Sequence, residues 1–247
     1  MFDPIVCIIT FVISFMGFFV KGVAAFGDPL ITTPLLSMFY DNHIISPSNL
    51  CFNVPINGYI AWKNRHAFSI TKILPVLCFI LLGVIPGTLL MQYATSWILK
   101  AGLGVIIIGI GLEMLTRDRA KAIAYNRYVM AITSFCSGVT AGLYGINLFF
   151  VSYIERTTSN RNEFRGNICF VFFIENVFRL AVYLTRGVFT MNVLHLTLIA
   201  LPGMLLGFFT GSRIDKKLSE KTIRLIVIIM FMLGGLSILI KALIWKS

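Results

Sequence analysis

The chain has 247 residues, 57% of them hydrophobic and only 13% charged, with a mean hydropathy of +0.88, which is more apolar material than a soluble domain hides in one core. This excludes a water-soluble globular enzyme and points to a bilayer. Twenty-one Lys and Arg against ten Asp and Glu give a net charge of +11, an excess that in a membrane protein collects in cytoplasmic loops, so no nucleic-acid partner is implied.

The leading MFDPIVCIITFVISF contains Asp3 and lacks the basic start and small-residue cleavage site of a signal peptide. The first apolar segment, 4–22, is therefore expected to remain as a helix. Further apolar segments follow at 29–40, 48–62, 70–92, 98–115, 126–142, 147–154, 167–184, 189–211 and 222–242. A spanning helix takes about 20 residues, so the long segments are expected to cross, and 29–40 and 147–154 are too short. Each short piece follows a glycine-marked interruption, GVAAFGDP at Gly22–Pro29 and GLYGIN at Gly142–Asn147. A Pro-Gly pair also recurs, in GVIPGTLL at Gly83–Leu90 and IALPGMLL at Ile199–Leu206. The spacing predicts two repeats, 1–115 and 126–247, joined by a basic cytoplasmic linker at 116–125.

If each broken hairpin returns to its own side and three helices then cross, the second half is inverted relative to the first. The loops near 63–72, 116–127, 156–165 and 213–224 then share one side and hold fifteen Lys and Arg, against four on the other: Lys100, Arg186, Lys241 and Lys246. The positive-inside rule makes the first side cytoplasmic and puts both termini outside. The expected fold is an all-α polytopic membrane protein of two inverted-topology repeats, each a broken or re-entrant helix hairpin followed by three transmembrane helices. Paired broken helices of this kind meet near the midplane in secondary transporters. Irregular backbone survives there where it lines a cavity or is buried in protein.

Lys21 and Arg179 are the basic residues left at membrane depth. A lysine at the bilayer centre costs about 3 kcal/mol on insertion scales and persists where it is paired, hydrated or functional. Lys21, the backbone around Gly22 and Gly27 and the helix start at Pro29 are expected to hold a small anion. The competing reading has Lys21 paired with Asp28 or Glu175, or snorkelling to a surface. Glu175 and Arg179 stand four apart in FFIENVFRL, an ion-pair spacing on one helical face. Asn53 and Asn57 occupy the corresponding place in the first half. Tyr144, Gly145 and Asn147 form the second break, where Asn147 serves either the ligand or as a helix cap. Because Lys21, Asp28, Glu175 and Arg179 sum to zero, an entering anion leaves the cavity negative. Asp28 or Glu175 is thus the expected proton-binding group.

Cys7, Cys51, Cys78, Cys136 and Cys169 lie in or beside apolar runs without metal-ligand spacing, so neither a metal nor a disulfide is expected. His195 has no second ligand near it in sequence, and RIDKKLSEK at Arg213–Lys221 is a topology anchor. There is no nucleophile elbow, phosphate loop or zinc-protease motif, and no catalytic residue is assigned.

The stretch GFFVKGVAAFGDPLITTP resembles the first repeat of the sulfite exporter TauE/SafE family of bacterial and archaeal membrane permeases. The break there runs roughly G-x-x-G-x-G-G-G before a short apolar stretch and a proline. This chain keeps Gly22, Gly27 and Pro34 and has Ala25, Asp28 and Pro29 at other matching places. The second repeat, GVTAGLYGINLFFVSYIE followed by NEFRGNICFVFFIENVFRL, matches through Gly138, Gly142, Gly145, Phe164 and Arg165, and the similarity covers essentially the whole chain. It implies an inner-membrane carrier for sulfite, organosulfonates or related small anions, usually exported, without ATP or a bound cofactor. Arg165 matches a family position at a cytoplasmic helix end, where anchoring or gating is as fitting as substrate contact. The alternatives are a proton-coupled carboxylate carrier and a membrane scaffold subunit whose buried charges serve folding; a homo-oligomer is compatible with each.

Overall fold

The computed structural model describes residues 4–66, 70–90, 97–116, 126–145, 147–158, 161–215 and 219–244. Among the described residues ten helices follow one another: α1 Pro4–Ala24, α2 Asp28–Leu36, α3 Asn42–Lys63, α4 Ile70–Leu90, α5 Trp97–Thr116, α6 Arg127–Tyr144, α7 Leu148–Thr157, α8 Arg161–Thr185, α9 Met191–Ile214 and α10 Glu220–Ile244. Four of them, Pro4–Ala24, Ile73–Leu90, Asn162–Thr185 and Met191–Ile214, are long and apolar enough to cross a bilayer among the described residues. The chain is a multi-pass membrane protein. Most of the expected linker, 117–125, lies outside the described residues.

α1 shows the inverted polarity of a membrane helix. Ile5, Ile8, Val12 and Met16 are exposed along one stripe, while Thr10, Ser14, Gly17 and Lys21 are buried on the other. In water this arrangement would lose apolar burial and desolvate polar groups; in lipid it puts hydrocarbon against hydrocarbon and gathers polar side chains inside.

The two breaks are built alike. α1 ends where Ala25 turns left-handed, φ 71°, and its amide donates to Lys21 O at 2.7 Å. α6 ends where Gly145 turns left-handed, φ 73°, and its amide donates to Ala141 O at 2.8 Å. A residue in this conformation stops a helix by capping its last carbonyls. Glycine adopts it without strain, and Ala25 adopts it against the usual preference of an L-residue. α2 then restarts after Gly27, φ 97°, with Pro29 in its first turn. Pro34 removes the amide that would bind Leu30 O. That carbonyl faces Gly234 of α10, where a Cβ would lie 2.7 Å from it.

Helix packing is reciprocal between the halves. α1 packs on α9 as α6 packs on α4, α3 meets α8, and α5 meets α10. The lesser pairs also answer each other, α2 with α10 and α7 with α5, α3 with α9 and α8 with α4. Small residues permit the close crossings. Gly203, Gly207 and Gly211 of α9 each lie against the backbone of α1 at Phe11, Phe15 and Phe19, and Gly83 and Gly87 of α4 lie against Gly138, Val139 and Gly142 of α6. Such stripes let helices approach where lipid supplies no hydrophobic drive. Ile80 and Val84 of α4, Phe150 and Val151 of α7, and Ile168 and Val171 of α8 belong to the largest apolar cluster among the described residues, beside which α2, α3, α7 and α8 converge.

Candidate functional site

One cavity of about 40 Å³ opens where the two breaks meet α3 and α8, enough space for about three waters. Its walls bring together Lys21, Gly27, Asp28, Asn53, Asn57, Gly145, Asn147, Glu175 and Arg179, every one a residue singled out in the sequence. Lys21, Asp28, Asn57 and Glu175 are each 1% exposed. Lys21 therefore does not snorkel.

The first half contributes a closed triad. Lys21 Nζ lies 3.0 Å from Asp28 Oδ1 and donates to Asn53 Oδ1 at 2.5 Å, and Asn53 Nδ2 donates to Asp28 Oδ2 at 2.7 Å. The last turn of α1 supplies the ammonium, the first turn of α2 the carboxylate, and α3 the amide. Asn49, one turn before Asn53, donates to Thr32 Oγ1 at 2.9 Å and so holds α2 to α3. Phe26 and Gly27 are buried in the break and line the cavity, and neither backbone amide has a hydrogen-bond acceptor among the described residues. Buried N–H groups without a partner are uncommon.

The second half contributes a matching cluster. Asn147 Nδ2 donates to Glu175 Oε2 at 3.2 Å, and Arg179 Nη1 to Glu175 Oε1 at 3.4 Å. Arg179 Nη2 also donates to Ser46 Oγ at 2.7 Å and to the Tyr183 hydroxyl at 3.2 Å, with the guanidinium 5.5 Å from the Tyr183 ring centre. Gly145 lies against the guanidinium, a Cβ there standing at ordinary contact distance of 3.5 Å from both terminal nitrogens, so the glycine is favoured by its φ of 73° and not by space. Asn147 does not cap α7 with its side chain. Ser137 of α6 does that work from a neighbouring helix, accepting from Phe150 N at 3.2 Å and donating to Asn147 Oδ1 at 3.4 Å.

Formally the four ionised side chains of the cavity cancel. Among the described residues, what remains unsatisfied on the lining side chains is polar: both amide atoms of Asn57, the Oδ1 of Asn49 and the Nε of the Arg179 guanidinium are buried without a partner. Ligand or water is the physical complement of such groups.

Two residues singled out in the sequence sit elsewhere. Gly22 is a packing residue, where a Cβ would meet Phe208 O and Ser212 N of α9. Arg165 pairs with Asp215 of α9 and donates to Gly22 O at 3.1 Å, tying α8 to α9 and to the end of α1. Tyr144 closes α6, and its side chain lies outside the described residues. Sequence reasoning missed Ser46, Asn49, Asn176 and Tyr183. Asn49 extends the four-residue spacing of Asn53 and Asn57, a signal present in the chain.

The model of the family described as Sulfite exporter TauE/SafE matches residues 9–238. Comparison with curated proteins and with solved structures gave no match. A match over most of the chain, on a polytopic helical protein with buried cations around a polar cavity, establishes the relationship: the chain belongs to the sulfite exporter TauE/SafE family, membrane transporters of sulfite or related anions.

Proposed function

We propose that this protein is a secondary transporter that exports a small sulfur oxyanion or sulfonate across the cell membrane by alternating access around the cavity between its two breaks. One observation carries the reading. Two buried cations, Lys21 and Arg179, flank a cavity of about 40 Å³ together with unpartnered amides from Asn57 and from the α1–α2 break. Its volume suits a small oxyanion rather than a long-chain acid.

Lys21 is the chief anion partner. Asp28 and Asn53 take two of its three N–H donors, which leaves one for a ligand. Asn57 and the amides of Phe26 and Gly27 are the neutral donors, and Asn147, Gly145 and Arg179 shape the opposite wall. The reciprocal packing and the matching left-handed caps at Ala25 and Gly145 support two repeats, 1–115 and 126–247. The fifteen-to-four distribution of Lys and Arg supports their inverted orientation, with 116–125 cytoplasmic and both termini outside. Moving each repeat against the other would expose the cavity to each side in turn.

A second reading has its own support. The donors of Lys21 and Asn53 already hold a carboxylate, that of Asp28, so a small carboxylate fits the same chemistry. Flux in proteoliposomes against sulfite, thiosulfate, methanesulfonate, sulfate and small carboxylates separates the two. Sulfur anions moving faster than carboxylates is the expected result, with Lys21→Met folded and inactive. A panel in which nothing moves removes the substrate claim and leaves only the architecture.

A further inference from the structure

We propose that Asp28 is a tethered occupant of the anion site: its carboxylate holds the donors of Lys21 and Asn53 when substrate is absent, and one proton neutralises it when the transported anion takes its place. The inference rests on the transport reading above and assigns the coupling step to one of the two buried carboxylates.

Asp28 fills the role of a bound anion. Each of its oxygens meets one donor, Oδ1 the Lys21 ammonium at 3.0 Å and Oδ2 the Asn53 amide at 2.7 Å. An external anion reaching Lys21 must share or displace these donors, and a second negative charge beside a buried carboxylate is strongly disfavoured. Protonation removes the conflict. The carboxyl becomes neutral, and the ammonium stays paired because the substrate replaces Asp28 as its counter-charge. Asn57, one turn beyond Asn53 on the cavity wall, has no partner for either amide atom among the described residues, so its Oδ1 can accept the carboxyl hydrogen of Asp28 while its Nδ2 donates to the anion.

Glu175 does not meet the same competition. Its cation, Arg179, is fixed by Ser46 and Tyr183 as well as by Glu175 itself, so the pair persists whatever happens at Lys21. The surroundings of Asp28 hold few other charges. α1 presents Lys21, α3 presents the neutral Asn49, Asn53 and Asn57, and α8 presents Glu175, Arg179, the buried thiol of Cys169 and, at its start, Arg165. α10 approaches α2 at Gly234, within a stretch from Leu225 to Ile240 that carries no charged residue.

The test uses the full-length protein in detergent and an anion that does not itself titrate across the pH range, so sulfite is avoided. Methanesulfonate, thiosulfate and sulfate are screened, and the first that binds is carried forward. For the wild type, the Kd is expected to rise by about tenfold per pH unit, and about one proton is taken up per anion bound in weakly buffered solution. Asp28→Asn should bind with a Kd independent of pH, whereas Glu175→Gln should keep the wild-type slope. A flat wild-type profile with no proton taken up overturns the inference and leaves the transport reading standing. So does an Asp28→Asn variant that retains the slope, or its loss in Glu175→Gln. If Asp28→Asn does not fold, the wild-type proton uptake and the Glu175→Gln slope still decide. If none of the anions binds the wild type, the anion reading fails first and takes this one with it.

Discussion

Asn53 of α3 and Glu175 of α8 each reach back to the break of their own half, Asn53 to Asp28 at 2.7 Å and Glu175 to Asn147 at 3.2 Å. The two helices pack on each other, so the breaks are held around one cavity by residues at matched places. The charge carriers differ between the halves: the first places its ammonium and carboxylate in the break, the second places both its ion-pair partners on α8. The cavity wall therefore has two unlike poles.

The first prediction separates folding from binding at the Lys21 pole. Lys21→Met leaves Asp28 buried with an amide as its remaining partner, and breaking a buried pair costs about 3–5 kcal/mol. Adding Asp28→Asn removes the orphaned charge and should restore most of the thermal stability measured in detergent. Transport should remain absent in both variants. A double variant that regains both stability and flux would show that the pair serves folding alone.

At the other pole the guanidinium is held by geometry that an ammonium does not reproduce. Arg179 addresses Glu175, Ser46 and the Tyr183 hydroxyl at once through two terminal nitrogens, and a lysine offers a single point charge on a flexible stem. Arg179→Lys should therefore lower the melting temperature and cut transport at least tenfold, while Arg179→Gln, which strands Glu175, should destabilise by about 3–5 kcal/mol. Pairing Arg179→Gln with Glu175→Gln tests the assignment, because stability should return in the double variant. Melting curves of the three proteins decide it.

Much of this was legible in the sequence because membrane burial makes charge conspicuous. Lys21, Asp28, Glu175 and Arg179 stand out in apolar runs, and the breaks announce themselves through Gly27, Pro29 and Gly145. Boundaries were less legible. Hydropathy begins the third and eighth segments at 48 and 167, whereas α3 and α8 begin at Asn42 and Arg161. Their polar first turns carry Ser46 and Arg165 inward, and a hydropathy reading discounts such turns although the backbone hydrogen-bonds through them. Partner choice was beyond the sequence. Spacing alone left Lys21 free to pair with Asp28 or Glu175, and Asn147 free to cap α7. Chain geometry at two left-handed residues selected Asp28 and handed the cap to Ser137. Asp215 gave no signal at all, because Arg165 lies fifty residues away from it in the chain.

The third prediction concerns the helix crossings that keep the cavity walls together. A Cβ at Gly207 would meet Phe15 O and Phe19 N, both backbone atoms of α1, and backbone cannot step aside as a side-chain tip does. Gly207→Val should force α9 away from α1, at a cost of about 1–3 kcal/mol or more. Gly102→Ala, with nothing within 4 Å of its Cβ, should leave the melting temperature within error or raise it slightly through helix propensity. Equal effects from the two substitutions would contradict the close α1–α9 crossing.

The last prediction is at the Arg165 clamp. Arg165 ion-pairs with Asp215 at the end of α9 and donates to the carbonyl of Gly22, the residue that follows Lys21 at the end of α1. If the cavity opens by moving these ends apart, the clamp must release in one of the two transport states and bias the equilibrium toward the other. Arg165→Gln should then change the ratio of inward to outward access rather than abolish binding, seen as altered labelling of a cysteine placed at Asn57 from the two sides of the membrane in a background lacking native cysteines. Asp215→Asn should shift the ratio in the same direction, and the double variant should add little to either single one, because the two residues act through one contact. Full additivity, or opposite shifts, would mean that the Arg165–Asp215 contact does not set the ratio.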